Sequence, residues 1–225
     1  MKVILLLSIV LNSALMSYSQ MTIVSDSLLN EACKTIINSK EKNDSVKIDA
    51  AFVQHFGKLL SDLPEARAEN TYDYIFIRLQ KLCPEFKAIL DKLNPPSAGD
   101  FRNLEIKPTT KLNKKGCRDF LNYKNYYYFE DNGDTIHLRI SNGFWMETFK
   151  DKTYSKLKLS WISDCEFELV FIESNNAIRN SLSKPGDKYK YQLTEKHDSY
   201  YDVCLDIREI KVLGTFRIYY IHKPK

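Results

Sequence analysis

Side chains able to carry chemistry are few in this chain, and their spacing is poor for most known site types. His55, His137, His197 and His222 are scattered, with no His-Glu-x-x-His and no pair at metal-ligand spacing. No Gly-x-Ser-x-Gly elbow and no Walker-type phosphate loop is present, and most of the 7 glycines belong to turns. Asp131-Asn132-Gly133-Asp134 resembles the start of a calcium loop, but residue 142, where the bidentate Glu would stand, is Asn. These absences point to no metal and no cofactor. The residues left as candidate ligand contacts are Tyr126, Tyr128, Arg139 and Glu147. Arg139 and Glu147 flank the Asn142-Gly143 turn, where a cross-strand ion pair or a charged-ligand site would form. Tyr126 and Tyr128 belong to a run drawn from 14 tyrosines, and rings on the outer face of a sheet can stack on sugars, peptides or a partner.

The elements that position these residues fall into two halves with different periods. Apolar residues recur at helical spacing over Ser27–Asn38, Ser45–Leu63, Asn70–Leu82 and from Pro84 to about Leu93. Beyond Asn94-Pro95-Pro96-Ser97-Ala98-Gly99 the period becomes 2. About eight strands follow, joined mostly by hairpins, with a polar loop at 175–186. At Asn132-Gly133 a two-residue loop would set Phe129 opposite Ile136, placing Tyr126 and Tyr128 outside. At Asn142-Gly143 a two-residue loop would oppose Leu138 and Glu147. A three-residue loop with Gly143 in the left-handed region, pairing Ile140 with Met146 and Arg139 with Glu147, avoids that mismatch and is preferred. The fold class is therefore α+β: a helical segment and then an antiparallel β meander, barrel-like or sandwich-like.

The first twenty residues have the order of a secretory signal peptide: Lys2, an apolar run from Val3 to about Leu11, then small and polar residues up to Gln20. That run is shorter than the roughly 20 residues a bilayer span needs, so no membrane anchor is expected after cleavage. The expected organisation is a signal peptide over 1–20, a helical domain over 21–94, a linker over 95–116 and a β domain over 117–225. The destination is the periplasm or the exterior. Formal net charge is +4, with 33 basic and 29 acidic residues interleaved, which argues against a nucleic-acid partner. Cys33, Cys83, Cys117, Cys165 and Cys204 all lie beyond the signal, without Cys-x-x-Cys. In an oxidising compartment an odd count leaves at least one thiol free or paired between chains.

Two stretches carry a family likeness. One comprises Cys117-Arg118-Asp119-Phe120, Arg139, Glu147 and Trp161-Ile162-Ser163-Asp164-Cys165-Glu166-Phe167-Glu168-Leu169; the other is Leu82-Cys83-Pro84-Glu85-Phe86. Together they resemble uncharacterised exported Bacteroidota proteins that join a cysteine-bearing helical segment to a tyrosine-rich β domain. The resemblance implies an architecture and a compartment and supplies no catalytic residue. With the spacing, it suggests bridges Cys33–Cys83 and Cys117–Cys165, with Cys204 as the free thiol.

The leading functional expectation is a non-enzymatic exported module that binds a protein, glycan or small molecule through the barrel interior or an outer aromatic face. A barrel filled by its own side chains, with aromatics exposed outside, would favour it. A lipocalin-like carrier of an apolar ligand needs an open cavity of at least roughly 300 Å³. A small hydrolase needs a deep polar pocket with titratable groups within hydrogen-bond reach, such as Glu147, Arg139 and His137.

Overall fold

The computed structural model describes residues 24–93, 100–130, 132–207 and 212–221. The signal peptide, residues 95–99 of the linker and His222 lie outside the described residues. Helices α1 (Asp26–Asn38), α2 (Asp44–Ser61), α3 (Glu65–Leu82) and α4 (Pro84–Leu93) come first. Ser25 caps α1 through the Leu28 N–H, and Asn43 caps α2 through the Ser45 and Val46 N–H groups. Helix α3 starts about a turn earlier than its apolar stripe suggests. The Pro64 carbonyl accepts the Arg67 and Ala68 N–H groups, so the proline that ends the preceding pattern also opens the next helix. The buried stripes meet in one core of Leu29, Ile36, Phe56, Ile75, Leu79 and Phe86, each fully buried. The Cys33 and Cys83 sulfurs are bonded, with Cα atoms 5.5 Å apart, joining α1 to the α3–α4 corner.

The remainder is an antiparallel barrel of eight strands plus a two-residue edge strand. Strand β1 (Arg102–Asn103) precedes a short helix α5 (Lys114–Arg118) and a 3-10 turn (Asp119–Asn122). Then come β2 (Asn125–Phe129), β3 (Thr135–Ser141), β4 (Phe144–Thr148), β5 (Tyr154–Trp161), β6 (Glu166–Ser174), α6 (Ala177–Leu182), β7 (Lys188–Lys196), β8 (Tyr200–Ile207) and β9 (Val212–Tyr220). Each strand from β2 to β9 pairs with the next, and β9 pairs back with β2 through Tyr126↔Tyr220 and Tyr127↔Tyr219, which closes the barrel. Closure leaves these strands no free edge to recruit another chain. Helix α6 replaces part of the expected polar loop; Asn176 caps it by accepting the Arg179 N–H at 3.1 Å.

Both hairpin registers differ from the expected ones, by one residue each. At Asn132-Gly133 the loop has three residues. Gly133 takes φ 83° and donates its N–H to the Glu130 carbonyl at 2.8 Å, while Glu130 donates to Asp134 at 3.0 Å. Tyr126 therefore faces Leu138, and Tyr128 faces Ile136. The Asn132 side chain accepts the Asp134 N–H at 2.9 Å, which favours this turn over the two-residue form. At Asn142-Gly143 the loop has two residues, with φ 52° and 75°, the left-handed pair that a type I′ turn requires. Leu138 then opposes Glu147, and Arg139 opposes Met146. A one-residue slip exchanges faces. Tyr126, Tyr128 and Glu147 consequently point inward and Arg139 points outward.

The stretch 100–116, expected as a linker, lies along the barrel. Leu104 donates to Leu213 at 2.9 Å, Lys111 donates to Thr194 at 2.8 Å, and Lys107 pairs with Glu166 and, at 3.8 Å, with Asp206. This strap accounts for Cys204, a buried thiol on the outer side of β8 at 0% exposure. A Cβ at Gly214 would stand 2.2 Å from the Phe101 ring, so glycine is what lets the strap seat. Gly214→Ala is expected to lift the strap and speed maleimide labelling of Cys204 by about tenfold or more, since labelling tracks local opening. An unchanged rate would show that the strap does not shield the thiol.

Candidate functional site

The base of the barrel is sealed. Cys117 and Cys165 are bonded, with Cα atoms 5.2 Å apart, and hold α5 across the strand ends. Beneath it Cys117, Phe120, Tyr201 and Ile218 are 0% exposed and Tyr126 is 1% exposed. Phe120 packs on Tyr126 at 4.9 Å and edge-on to Tyr201 at 5.2 Å. Further in, Phe167 stacks on Tyr191 at 5.3 Å and Trp145 lies 6.0 Å from Tyr191. Much of the interior is thus occupied by the chain's own rings.

The opposite end, the mouth, differs. Tyr128, Tyr191, Leu205 and Phe216 point inward there yet keep accessible surface. They meet a polar cluster built from three elements. Glu147 on β4 accepts hydrogen bonds at Oε1 from the Tyr128 hydroxyl (2.9 Å) and the Trp145 Nε1–H (3.0 Å). Its Oε2 lies 3.9 Å from Nε of Arg179, which descends from α6. Arg179 also contacts the Glu130 carboxylate, donates to the Tyr128 hydroxyl at 3.4 Å and covers the Phe149 ring at 5.3 Å. The Leu138–Glu147 mismatch across the hairpin is offset by these bonds, since a buried carboxylate is tolerated once its lone pairs are filled.

Burial and then the Glu147 charge raise the Tyr128 pKa well above the usual tyrosine range. Burial and Glu147 likewise push Tyr191 up. Burial alone would lower Arg179, but Tyr128, Glu147 and Glu130 outweigh it and raise the guanidinium's pKa. Tyr128, Tyr191 and Arg179 are strongly desolvated, while the side chains of Glu147, Arg179 and Glu130 retain 12%, 23% and 30% exposure. The cluster thus lies between the barrel interior and solvent. Its polar part holds charge in place and offers aromatic walls beside a carboxylate.

Of the four residues singled out as ligand contacts, Tyr128 and Glu147 come together in this cluster. Tyr126 lies in the sealed base and Arg139 is exposed on the outer face, so no Arg139–Glu147 pair forms. Around the β2–β9 closure the outward aromatics are Tyr127, Phe129, Tyr200 and Tyr219, in place of Tyr126 and Tyr128. Tyr127 stacks on Tyr219 at 5.0 Å and 12°, and Tyr200 lies 5.4 Å from Tyr219 with His197 stacked on it at 4.4 Å. These rings spend their faces on one another across the β2–β9 closure. Arg179 carried no sequence cue, because its role depends on the fold of a segment that reads as a polar loop.

The three described histidines stay apart. His55 bonds Thr35 at 2.8 Å between α2 and α1, and His137 is exposed. His197 meets Asp202 at 2.8 Å, and Glu195 is near both, but Lys111 already pairs with Glu195 at 2.6 Å.

A second buried polar cluster joins the helical bundle to the barrel. Arg78 of α3 is 3% exposed; it pairs with Asp26 at 2.8 Å and Asp187 at 3.2 Å and donates to the Leu182 carbonyl at 2.7 Å. Lys81 contacts Asp187 and donates to the Tyr189 hydroxyl at 2.7 Å, and Lys184 pairs with Asp26 at 2.7 Å. The Arg78 hydrogen bonds, outweighing burial and helped by Lys184, hold the Asp26 pKa at about 2, below its ordinary 3.8. Burial would raise Asp187, but Lys81, the Lys184 N–H and Arg78 overcome it and lower that group as well. A carboxylate depressed in the folded state contributes stability that is complete above its unfolded pKa and fades as pH falls through its folded one. The joint is therefore expected to be insensitive to pH down to about 4 and to weaken between there and about 2. Denaturant midpoints across that range would show it, and a flat profile down to pH 2 would contradict it. No family model matches the chain, and no curated protein is similar to it.

Proposed function

We propose that the chain is an exported, non-enzymatic binding module whose ligand enters the barrel mouth between Tyr128, Tyr191, Phe216 and Glu147. The observation that carries this reading is the contrast between the two ends. The base rings are fully buried under the α5 cap, while Tyr128, Tyr191 and Phe216 at the mouth keep partial accessibility beside the Glu147 carboxylate. Such a mixture of apolar walls and a few convergent polar groups is what small-molecule sites use. Ring packing at Phe120, Phe167 and Trp145 limits the depth available, which favours a compact ligand over a long acyl chain. The polar cluster has the hydrogen-bond reach a hydrolase needs. Its chemistry is less suited: Tyr128 holds its proton, and Glu147 Oε1 already accepts two bonds. The signal-like leader and the two cysteine pairs support export.

Titration of the mature protein with an anilinonaphthalene sulfonate dye, a saturated long-chain fatty acid and a nitrophenyl ester separates the readings. The expected result is saturable dye binding at one site, weakened about tenfold or more when Leu205→Trp fills the mouth. One-to-one capture of the fatty acid would establish the carrier instead. Ester hydrolysis lost in Glu147→Gln would establish the enzyme. No binding of the dye would overturn the mouth as a site for small apolar molecules.

A further inference from the structure

At the far end from the mouth, a depression of about 370 Å³ opens on the outer side of the base, lined by Lys114, Lys115, Arg118, Asp119 and Asn122. Three cations and one carboxylate make its wall strongly positive, and part of that charge is already answered. Lys114 pairs with Asp164 at 3.0 Å, and Asp119 is opposed by Lys196 at 3.7 Å and accepts from Asn122 Nδ2 at 3.2 Å. Lys115 and Arg118 make no ion pair among the described residues. They stand three residues apart on α5, the spacing that puts two side chains on one side of a helix.

The floor beneath them is fixed. Cys117, between the two cations, is bonded to Cys165; Phe120 is fully buried one turn on; and Asn113 caps α5 through the Gly116 N–H at 2.9 Å. Two unanswered cations held on a rigid floor beside a concavity are an arrangement for a doubly charged oxyanion, which an arginine grips through paired N–H donors and a lysine as a point charge. A bare phosphate or sulfate fills only a small part of this volume. The space left over is on the scale of small-ligand sites.

We infer that this depression is a second binding site, for a phosphate monoester borne on a group about the size of a monosaccharide. It is independent of the mouth, which lies at the other end of the barrel, so either site can fail without the other.

The test is a titration of the whole mature protein, followed by backbone amide resonances, with glucose 6-phosphate, inorganic phosphate, inorganic sulfate and glucose at matched low ionic strength. The expected result is saturable shifts confined to residues 112–122 for the phosphate ester, weaker binding of the free oxyanions and none of glucose. Lys115→Glu with Arg118→Glu reduces ester affinity by about tenfold or more, because exposed charges act over short range at modest strength. Both side chains are exposed, so the fold is kept, and Lys150→Glu serves as a control that leaves the affinity unchanged. Glucose 6-phosphate bound no more tightly than inorganic phosphate would overturn the ester assignment. Shifts that do not saturate, or an affinity that survives the double reversal, would overturn the site.

Discussion

Arg78→Met is expected to cost about 3 kcal/mol, at the lower end of what removing one partner from a buried charge cluster usually costs. The substitution keeps the stem's volume and deletes the charge. Asp26 retains Lys184 and Asp187 retains Lys81, which is why the loss stays at the lower end. The Leu182 carbonyl at the end of α6 also loses its donor. Equilibrium denaturation is expected to change from one cooperative transition to two, with bundle and barrel melting separately, because Arg78 and Lys81 carry hydrogen bonds and ion pairs from α3 to the α6–β7 segment. An added Asp26→Leu should recover part of the loss by removing an under-neutralised carboxylate. A single unchanged transition in Arg78→Met would show that the bundle and barrel are coupled by other means.

Replacing Cys117 and Cys165 together by alanine should cost about 4 kcal/mol on loop-closure grounds, given the sequence separation of 48. The effect reaches beyond entropy, because the bridge pins the α5 cap over Phe120, Tyr126 and Tyr201. With the cap loosened, those rings gain water, and near-ultraviolet tyrosine dichroism should fall while the far-ultraviolet strand signal persists. The Cys33–Cys83 pair offers the contrast. Its loss destabilises the helical bundle and leaves the tyrosine signal of the barrel base in place. Equal effects from both pairs would mean that the base is not independently sealed.

Much of this architecture is legible in the sequence. The change of period after residue 99 separates helices from strands because side chains repeat every 3.6 residues in one and every 2 in the other. Leu157, Leu159, Cys165, Phe167, Leu169, Phe171, Leu193, Val203 and Ile218 alternate cleanly and all face the core. What the pattern cannot fix is register at the two Asn-Gly turns, where a single residue exchanges inside and outside. The Asn142-Gly143 case shows why. Ranking registers by pair polarity rejects Leu138 against Glu147, but the carboxylate's real partners come from Tyr128 two strands away in the chain order and from Arg179 on α6. Those contacts are long-range and invisible to local pairing rules. The same limit hid α6, whose six residues lack an apolar stripe long enough to register as periodic, and it hid the strap that buries Cys204.

The disfavoured register is what assembles the mouth cluster, so the binding account rests on Glu147 facing inward. Trp145 reports on it directly, because its indole N–H is bonded to the same carboxylate oxygen at 3.0 Å. The decisive measurement is the indole resonance of Trp145 in isotope-labelled protein, followed through titration with a small-fragment panel of aromatic amines, aromatic acids and simple sugars. The account predicts a saturable shift of that resonance with at least one fragment class, abolished in Glu147→Gln while the other core resonances stay in place. A Trp145 indole that no fragment moves, while resonances on the outer face respond, would contradict it.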